Sequence, residues 1–354
     1  MSGVLFHSSS ILKSESLPCY CFNDIVHLSL PPQFSHEVAL FLWSSSPPPP
    51  PPLFLTLLVG RETVSGFRIC SYNVEKLNID KASNYRLVQT LSRVVYRCDI
   101  CLLQDVVDPD GRVVKKLLSS INRYGNYVYQ SVSSKGLGRS AVDKRKFVFL
   151  YRKETVTVMD QHQYETEPPT FARGPLAVEF RSRTTLMKDF ILVPVHTDPL
   201  KAVQEIDHLY DVFQEVSEKW NNENVMFLGD FQAACAHMTR LNKKKIRMFT
   251  NLNFTWLIGD KVDTTVSEET NCAYDRIVVH GKSFLKAISP MSAKVYDFGK
   301  ELKLSMSKVR DMSDHYPLEV ELKSSALVRS SALLLKATPL LTLLSASAFV
   351  HFFL

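Results

Sequence analysis

The chain has 354 residues, 45% of them hydrophobic and 22% charged, with a formal net charge of +6. This is the composition of an ordinary globular protein, and the length allows one large core or two modest ones. Seven cysteines, an odd number in a chain of this size, exclude a dense disulfide framework. The mildly basic charge suits a polyanionic partner, although a merely soluble surface explains it equally well.

Residues 1–66 differ in composition from the rest of the chain. They are poor in charged residues and contain a proline run at 47–52, which favours extended, solvated backbone. The apolar run 53–59, followed by Thr-Val-Ser-Gly at 63–66, is typical of the hydrophobic region and cleavage site of a secretory signal. Because such signals normally begin near the first residue, we interpret 1–66 as an atypical N-terminal extension that carries one. A segment without fixed structure is the alternative.

Apolar runs alternate with amphipathic segments from residue 67 to residue 322. Leu87, Leu91, Val94 and Val95 fall on one helical face, and a second helix is predicted over 202–220. Short apolar runs predict a last strand after the Tyr-Pro pair at 316–317 and earlier strands at 67–72, 99–104, 147–151, 190–196, 225–229 and 277–280. The alternation predicts a layered α/β domain, and the absence of an internal repeat argues against a solenoid or a propeller.

The last segment, 323–354, changes character again. Small residues at 324–326 precede a mixed spacer at 327–336 and an apolar tail at 337–354 that has no charged residue. This order is typical of a glycosylphosphatidylinositol (GPI) attachment signal. A tail-anchor helix, for which 18 residues are marginal, and a frayed end remain the alternatives.

Polar side chains stand at the ends of the apolar runs. A lone aspartate there is usually a cap, but six such places in order are hard to explain by capping, since α/β sheets gather their sites at one edge. Phosphodiester hydrolysis needs a base, an acid and a divalent ion held by hard oxygen ligands. The residues that offer these groups are Asn73, Asp105, His196, Asp230, Asp275 and the pair Asp314 and His315.

Several runs together resemble one known family. They are Arg-Cys-Asp-Ile-Cys-Leu-Leu-Gln-Asp at 97–105, Gly-Leu-Gly-Arg-Ser at 136–140, Leu-Tyr-Asp-Val-Phe at 209–213, Val-Met-Phe-Leu-Gly-Asp-Phe at 225–231, Cys-Ala-Tyr-Asp-Arg-Ile-Val-Val at 272–279 and Ser-Asp-His-Tyr-Pro-Leu-Glu-Val at 313–320. The segment 67–322 thus resembles the deoxyribonuclease I family of the endonuclease/exonuclease/phosphatase superfamily. It most resembles the membrane-associated "like 1" branch, whose members also carry an apolar C-terminal tail.

The resemblance implies a fold and an activity. The fold is α/β, a four-layer sandwich of two packed mixed β-sheets flanked by helices. The activity is endonucleolytic cleavage of DNA to 5′-phosphate ends with Mg²⁺ and/or Ca²⁺, with DNA as the partner and no protein partner implied. His315, oriented by Asp275, would form one half of an acid/base pair and His196 the other.

The same resemblance implies roles for further residues. Asp230 would lie at the attacked phosphate, and the metal would be held by Asp105, Asp314 and Asn73. The groups that contact DNA or its phosphates would be Gln232, Arg139, Arg173 and Tyr274. Cys235 and Cys272 match the family's disulfide, and Asn253 heads an Asn-Phe-Thr glycosylation pattern. These features predict the secretory pathway and an extracellular or membrane-anchored protein.

Four places depart from the family pattern, one of them Gly174, which replaces an acidic residue after Arg173. Asp105 stands where the family has a metal-binding Glu, and its shorter side chain draws the carboxylate back from an ion. Gln232 stands where the motif has Asn, and its longer side chain would overshoot a phosphate oxygen. The loop 140–146 is one residue longer and lacks the Glu that orients the first histidine, so that Lys144 or Arg145 falls at that position.

These departures predict a working endonuclease with reduced activity. A cation beside His196 would lower the pKa of that ring and orient it poorly. The alternative is a catalytically impaired, membrane-associated DNA-binding homologue. A phosphoinositide or sphingomyelin phosphodiesterase is a more distant alternative.

Two basic stretches are predicted to contact DNA phosphates: Lys135, Arg139, Lys144, Arg145, Lys146 and Arg152 in the first, and Lys243, Lys244, Lys245 and Arg247 in the second.

Overall fold

The computed structural model describes residues 66–138, 140 and 143–325. Arg139, the N-terminal extension up to residue 65 and the tail from residue 326 lie outside the described residues. The secretory signal, the anchor signal and the role of Arg139 therefore stay predictions. In the described ranges, no helix is both long and apolar enough to cross a membrane.

The strands of the described residues form two sheets. In chain order they are β1 (Phe67–Leu77), β2 (Ile100–Val106), β3 (Tyr129–Ser133), β4 (Lys146–Arg152), β5 (Val156–Gln163), β6 (Leu176–Ser182), β7 (Asp189–His196), β8 (Val225–Asp230), β9 (Phe254–Trp256), β10 (Asp275–His280), β11 (Lys294–Val295) and β12 (Leu318–Leu322). The first sheet has the order β11-β12-β1-β2-β4-β3, and the second has the order β5-β6-β7-β8-β10-β9. Both sheets are mixed, because β1 and β2 are parallel, as are β7 and β8.

Helices cover the outer faces of both sheets. They are α1 (Tyr85–Tyr96), α2 (Arg112–Tyr124), α3 (Ala202–Trp220), α4 (Arg240–Lys243), α5 (Arg247–Thr250), α6 (Lys282–Ala287), α7 (Phe298–Glu301) and α8 (Met306–Met312), with short 3-10 turns at Lys81–Ser83 and Cys235–His237. The α1 and α2 helices pack on the first sheet, and α3 packs on the second. Between the sheets lies a third apolar cluster that includes Leu102, Phe149, Phe180 and Leu228. The predicted four-layer α/β sandwich is confirmed.

The predicted elements are present, with some omissions. The helix predicted over 202–220 is α3, and the predicted face of Leu87, Leu91, Val94 and Val95 is the buried face of α1. The sequence did not predict α2 or the strands β3, β5, β6, β9 and β11. Most residues of β5 are exposed or half-buried. An edge strand of that kind buries too little apolar surface to show a clear alternating pattern.

A buried glutamine joins the two sheets beneath the strand ends. The amide of Gln104 at the end of β2 donates a hydrogen bond to the carbonyl of Val195 on β7. Gly229 on β8 has a φ of +136°, and a Cβ atom there would lie 2.1 Å from the Gln104 amide nitrogen. Glycine is therefore required at that position, because any side chain would displace the contact between the sheets.

Two disulfides link neighbouring elements. Cys235 bridges to Cys272, as predicted, and closes a loop of 37 residues. Cys70 on β1 bridges to Cys98, a pairing that the sequence did not predict. Cys101 is buried and free. The second bridge was missed because Cys98 precedes β2 and faces β1 only once these two strands have paired.

Candidate active site

The ends of four strands meet at one edge of the sandwich. Asn73, Asp105, His196 and Asp230 lie on β1, β2, β7 and β8, and parallel strands bring their carboxyl ends to the same edge. A cavity of about 280 Å³ opens there. It is lined by Asn73, Glu75, Lys76, Asp105, Asp143, Arg145, Arg173, His196, Asp230, Gln232, Asp314 and His315. Eight of the predicted site residues therefore line one cavity.

The backbone around this cavity has an unusual conformation. Glu75, Lys76 and Asp105 have positive φ values of 43°, 54° and 62°, and the pairing of β1 with β2 is interrupted after Asn73. The Lys76 amide donates a hydrogen bond of 2.8 Å to the Asp105 carboxylate, which holds the two loops together. Left-handed conformations at non-glycine residues cost free energy and cluster at functional sites. Nothing in the sequence identified Glu75 or Lys76 as cavity residues.

His315 is held by a carboxylate behind it. Its Nδ1 donates a hydrogen bond of 2.7 Å to Asp275 on β10, while its Nε2 lies 3.8 Å from Asp230 and 3.7 Å from Asp314. Burial alone would lower the pKa of His315, but the carboxylates of Asp275, Asp230 and Asp314 outweigh it and raise the pKa to about 10. The ring is therefore protonated at neutral pH and presents an N–H to the cavity.

The loop that carries His315 is fixed to β1. The hydroxyl of Ser313 donates a hydrogen bond of 2.7 Å to the carbonyl of Asn73 and accepts one of 3.1 Å from the His315 amide. This contact places the Ser-Asp-His run at the end of β1. The predicted partnership of His315 and Asp275 is thus present in the geometry.

His196 has the opposite charge state. Burial lowers its pKa to about 3, and the nearby cations Arg173 and Arg145 act in the same direction against Asp230. Its Nε2 lies 3.9 Å from the Asp230 oxygen that also faces His315. Its Nδ1 is buried and has no hydrogen-bond partner among the described residues. Among the described residues, no side chain therefore orients the ring through Nδ1, as expected from the missing Glu.

The side chain of Gln232 folds back onto Asp230. Its side-chain amide donates hydrogen bonds of 2.9 Å to both carboxylate oxygens of Asp230, and its backbone has a φ of +50°. Asn73 donates a further bond of 3.2 Å to Asp230. The expected overshoot of a phosphate oxygen stays a prediction, and in the structure the Gln232 amide is hydrogen-bonded to Asp230.

Arg145 rather than Lys144 faces the cavity. Its guanidinium lies 2.5 Å from Asp105, with side-chain exposures of 9% and 12%, and it also pairs with Asp143. Lys144 instead donates to the carbonyl of Gly138. Arg145 is therefore paired with Asp105, the carboxylate that the sequence resemblance assigns to a metal.

The donor set still fits a hard divalent ion. Asp105, Asp314 and Asn73 supply carboxylate and amide oxygens to one cavity, which is the chemistry that Mg²⁺ or Ca²⁺ prefers. Within the described part of the chain, no three His, Cys, Asp or Glu side chains are grouped closely enough to hold an ion by themselves. An ion here would depend on two carboxylates, an amide, water and a phosphate, and Arg145 would compete with it for Asp105.

Two further predicted contacts lie near the histidines. Arg173 lines the cavity, and its buried Nε has no hydrogen-bond partner in the described residues. The ring of Tyr274 lies 6.5 Å from that of His315.

Asn253, the predicted glycosylation residue, is exposed in a turn that precedes β9.

Half of the cations in the two predicted basic stretches are paired with carboxylates of the chain. Within the chain, carboxylates pair with four of their cations: Lys135 with Glu165, Arg152 with Asp99, Lys243 with Asp260, and Arg247 with Asp207 and Asp211. Arg145 is paired as well. These five cations already have a carboxylate partner, and the contact of the two stretches with DNA phosphates stays a prediction.

A two-sheet sandwich that brings two histidines and several oxygen donors together at its strand ends has the groups that phosphodiester hydrolysis needs. The profile of the "Endonuclease/Exonuclease/phosphatase family" matches residues 70–315, and the chain belongs to this family. Within it, the chain is 38% identical to human (Homo sapiens) Deoxyribonuclease gamma over 277 residues, which are 77% of this chain and 90% of the relative. It is equally 38% identical to human Deoxyribonuclease-1-like 1 over 294 residues, which are 83% and 95% of the two chains.

Solved structures support the fold. The endonuclease/exonuclease/phosphatase from Bacteroides vulgatus matches with a TM-score of 0.52 and 16% identity, over 73% of this chain and 99% of its own. Humanized D. rerio TDP2 matches with a TM-score of 0.51 and 16% identity, over 72% and 98%. The resemblance to deoxyribonucleases is confirmed by the relatives, with the 1-like 1 proteins and deoxyribonuclease gamma at the same identity.

Asp275→Asn is expected to lower the pKa of His315, because it removes the nearest carboxylate that raises it. The His315 ring would then lose its proton at a lower pH. The alkaline limb of the pH profile of kcat/KM should therefore move toward lower pH. NMR titration of the histidine ring would report the same change directly. The control is Asp108→Asn, a buried acid that caps α2. An unchanged titration of His315 would show that Asp275 does not set its charge.

Proposed function

We propose that this chain is an endonuclease that hydrolyses DNA phosphodiester bonds to 5′-phosphate ends, with a divalent metal and reduced activity. The observation that carries this proposal is the geometry of the two histidines, whose Nε2 atoms lie 3.9 Å (His196) and 3.8 Å (His315) from the same oxygen of Asp230. Relatives named deoxyribonucleases support DNA as the substrate. Efficient acid/base catalysis needs two such groups, one able to accept a proton and one able to donate it.

In the proposed reaction, neutral His196 takes a proton from a water molecule. The water oxygen forms a bond to phosphorus, and the bond from phosphorus to the 3′ oxygen breaks. His315 gives the proton on Nε2 to that leaving oxygen, which becomes a 3′ hydroxyl, and the phosphate stays on the 5′ end. Asp275 holds the His315 ring during the transfer, and Arg173 binds the phosphate oxygens.

The metal would be held by Asp105, Asp314 and Asn73, and Mg²⁺ or Ca²⁺ there would add positive charge at the phosphoryl oxygens. Three features of the chain reduce the rate. Arg145 pairs with one carboxylate oxygen of Asp105, and the Gln232 amide is hydrogen-bonded to Asp230. The His196 ring has no hydrogen bond at Nδ1 to orient it among the described residues. Misplacement of a reacting group by about 1 Å can cost about a hundredfold in rate.

A nicking assay on supercoiled plasmid, with Mg²⁺ and Ca²⁺ titrated separately, tests the proposal. Slow conversion to nicked circles is expected, and direct ligation of the product would show that its ends carry 5′-phosphates. A protein that binds the plasmid but nicks nothing at any metal concentration would instead be the impaired DNA-binding homologue.

We also propose that the protein enters the secretory pathway, with membrane attachment through its apolar tail. Two disulfides fit an oxidising compartment, and the exposed Asn253 is open to glycosylation. Peptide mapping of protein from a secretory host should find both bridges, and Asn253→Gln should remove a glycosidase-sensitive mass. Truncation after residue 326 should release the protein from membranes. Four free thiols and no glycan would contradict the placement.

A further inference from the structure

A second cavity lies between α1 and α2 on the outer helical layer, apart from the candidate active site. Its volume is about 760 Å³. The lining contains four serines, one exposed tyrosine and no carboxylate. It also contains five cations, which are Arg93, Arg112, Lys115, Lys116 and Arg123.

Several of these charges have no counter-charge. Arg112 pairs with Asp110, and Lys116 donates a hydrogen bond of 2.7 Å to the Ser83 hydroxyl. The side chains of Arg93, Lys115 and Arg123 have no ion pair or hydrogen bond anywhere in the part of the chain that the structure describes. Like charges that face one groove repel each other, and a bound polyanion would remove that repulsion.

The groove begins at the edge that carries the active site. The strands β1 and β2 are parallel and end at the cavity, and α1 and α2 follow these strands directly. Both helices therefore start near that edge and run back along the first sheet. The 12 residues of α1 span roughly 18 Å at about 1.5 Å per residue. That length corresponds to about five base steps of a DNA strand.

We propose that this groove, defined by Arg93, Arg112, Lys115, Lys116 and Arg123, binds the phosphate backbone of DNA outside the cleavage site. The proposal rests on the proposed function, because it takes the substrate to be DNA. Cations and serine hydroxyls are the usual donors to DNA phosphates. An anionic membrane fits less well, since Tyr85, which is 71% exposed, is the one large exposed apolar side chain among the described lining residues that could enter a bilayer.

Binding of labelled duplex DNA to the full chain, with EDTA present so that cleavage is prevented, tests this groove. The triple variant Arg93→Gln, Lys115→Gln and Arg123→Gln removes the unpaired charges and keeps good helix formers. Its affinity should fall about tenfold or more, and its salt slope should decrease by about 2 to 3, at about 0.9 per lost phosphate contact. The single variant Lys115→Gln should lower the slope by about 0.9.

The matched control removes three exposed cations at the opposite edge of the sandwich: Arg183→Gln, Lys188→Gln and Lys282→Gln. This control should bind DNA like the parent. Equal losses in the two triple variants, or no loss in the groove variant, would overturn the proposal. So would retained DNA binding together with lost binding to phosphatidylserine vesicles, which would assign the groove to lipid. If the parent protein cuts no DNA but the groove variant still loses DNA affinity as expected, the proposed endonuclease activity would be contradicted and the DNA-binding groove would not.

Discussion

Replacing His315 with Gln is expected to reduce DNA cleavage by a factor on the order of 10² to 10⁴, the usual contribution of a general acid. Glutamine can still donate a hydrogen bond to Asp275, so the fold and the loop position should survive. It cannot carry the proton that the raised pKa of His315 keeps on the ring. Initial rates of plasmid nicking, measured with saturating metal, would give the size of the effect.

His280 offers a matched control for this substitution. It is also a buried histidine, at the far end of β10, and its Nδ1 is hydrogen-bonded to the carbonyl of Glu223. His280→Gln should lower stability slightly and leave the nicking rate nearly unchanged. If His315→Gln retained more than about a tenth of the parent rate, the leaving oxygen would have to receive its proton from another group.

Replacing Arg145 with Gln is expected to make the stability of the protein depend on divalent metal. The guanidinium of Arg145 now neutralises Asp105, and both side chains are nearly buried. Loss of one partner of a buried ion pair costs about 3 to 5 kcal/mol, because the other charge is left uncompensated. In EDTA the thermal midpoint should therefore fall, and Mg²⁺ or Ca²⁺ should restore much of it by binding at the vacated face of Asp105.

Arg152→Gln is the control, since it breaks the pair between Arg152 and Asp99. The two side chains of that pair are 9% and 7% exposed, and the pair lies at the N-terminal end of β2, away from the cavity. This variant should also lose thermal stability, but metal should not restore it. If neither variant responded to metal, Arg145 would be a structural residue with no competition for an ion. If the parent itself bound metal as tightly as Arg145→Gln, the proposed competition would also be wrong.

The strands, and the sheet edge at which the candidate active site lies, could be predicted from the sequence because they depend on local patterns. A buried strand shows itself as an apolar run, and a polar residue directly after such a run lies at the edge of the sheet. His315 and Asp275 are far apart in the chain, yet both adjoin such runs, and family motifs paired them correctly. The helix Ala202–Trp220 was predicted with its observed ends for the same local reason.

The contacts that modify the site could not be predicted in this way. The spacing of the loop allowed either Lys144 or Arg145 to reach the histidine, and only the fold shows that Arg145 turns to Asp105. The folded-back arm of Gln232 depends on a left-handed backbone that glutamine rarely adopts. The basic groove has a similar origin, since Arg93 and Lys115 belong to different helices that meet only after packing.

The division of the site between the two sheets has a consequence for biosynthesis. Asn73 and Asp105 belong to the first sheet, while His196, Asp230 and Asp275 belong to the second. His315 lies just before β12, the last described strand. This strand pairs with β1, where Leu322 lies opposite Phe67, and so joins the first sheet. A ribosome must therefore release nearly the whole domain before the two histidines can meet. The growing chain cannot cut DNA at any earlier stage, so the order of the strands itself delays the activity until synthesis is complete.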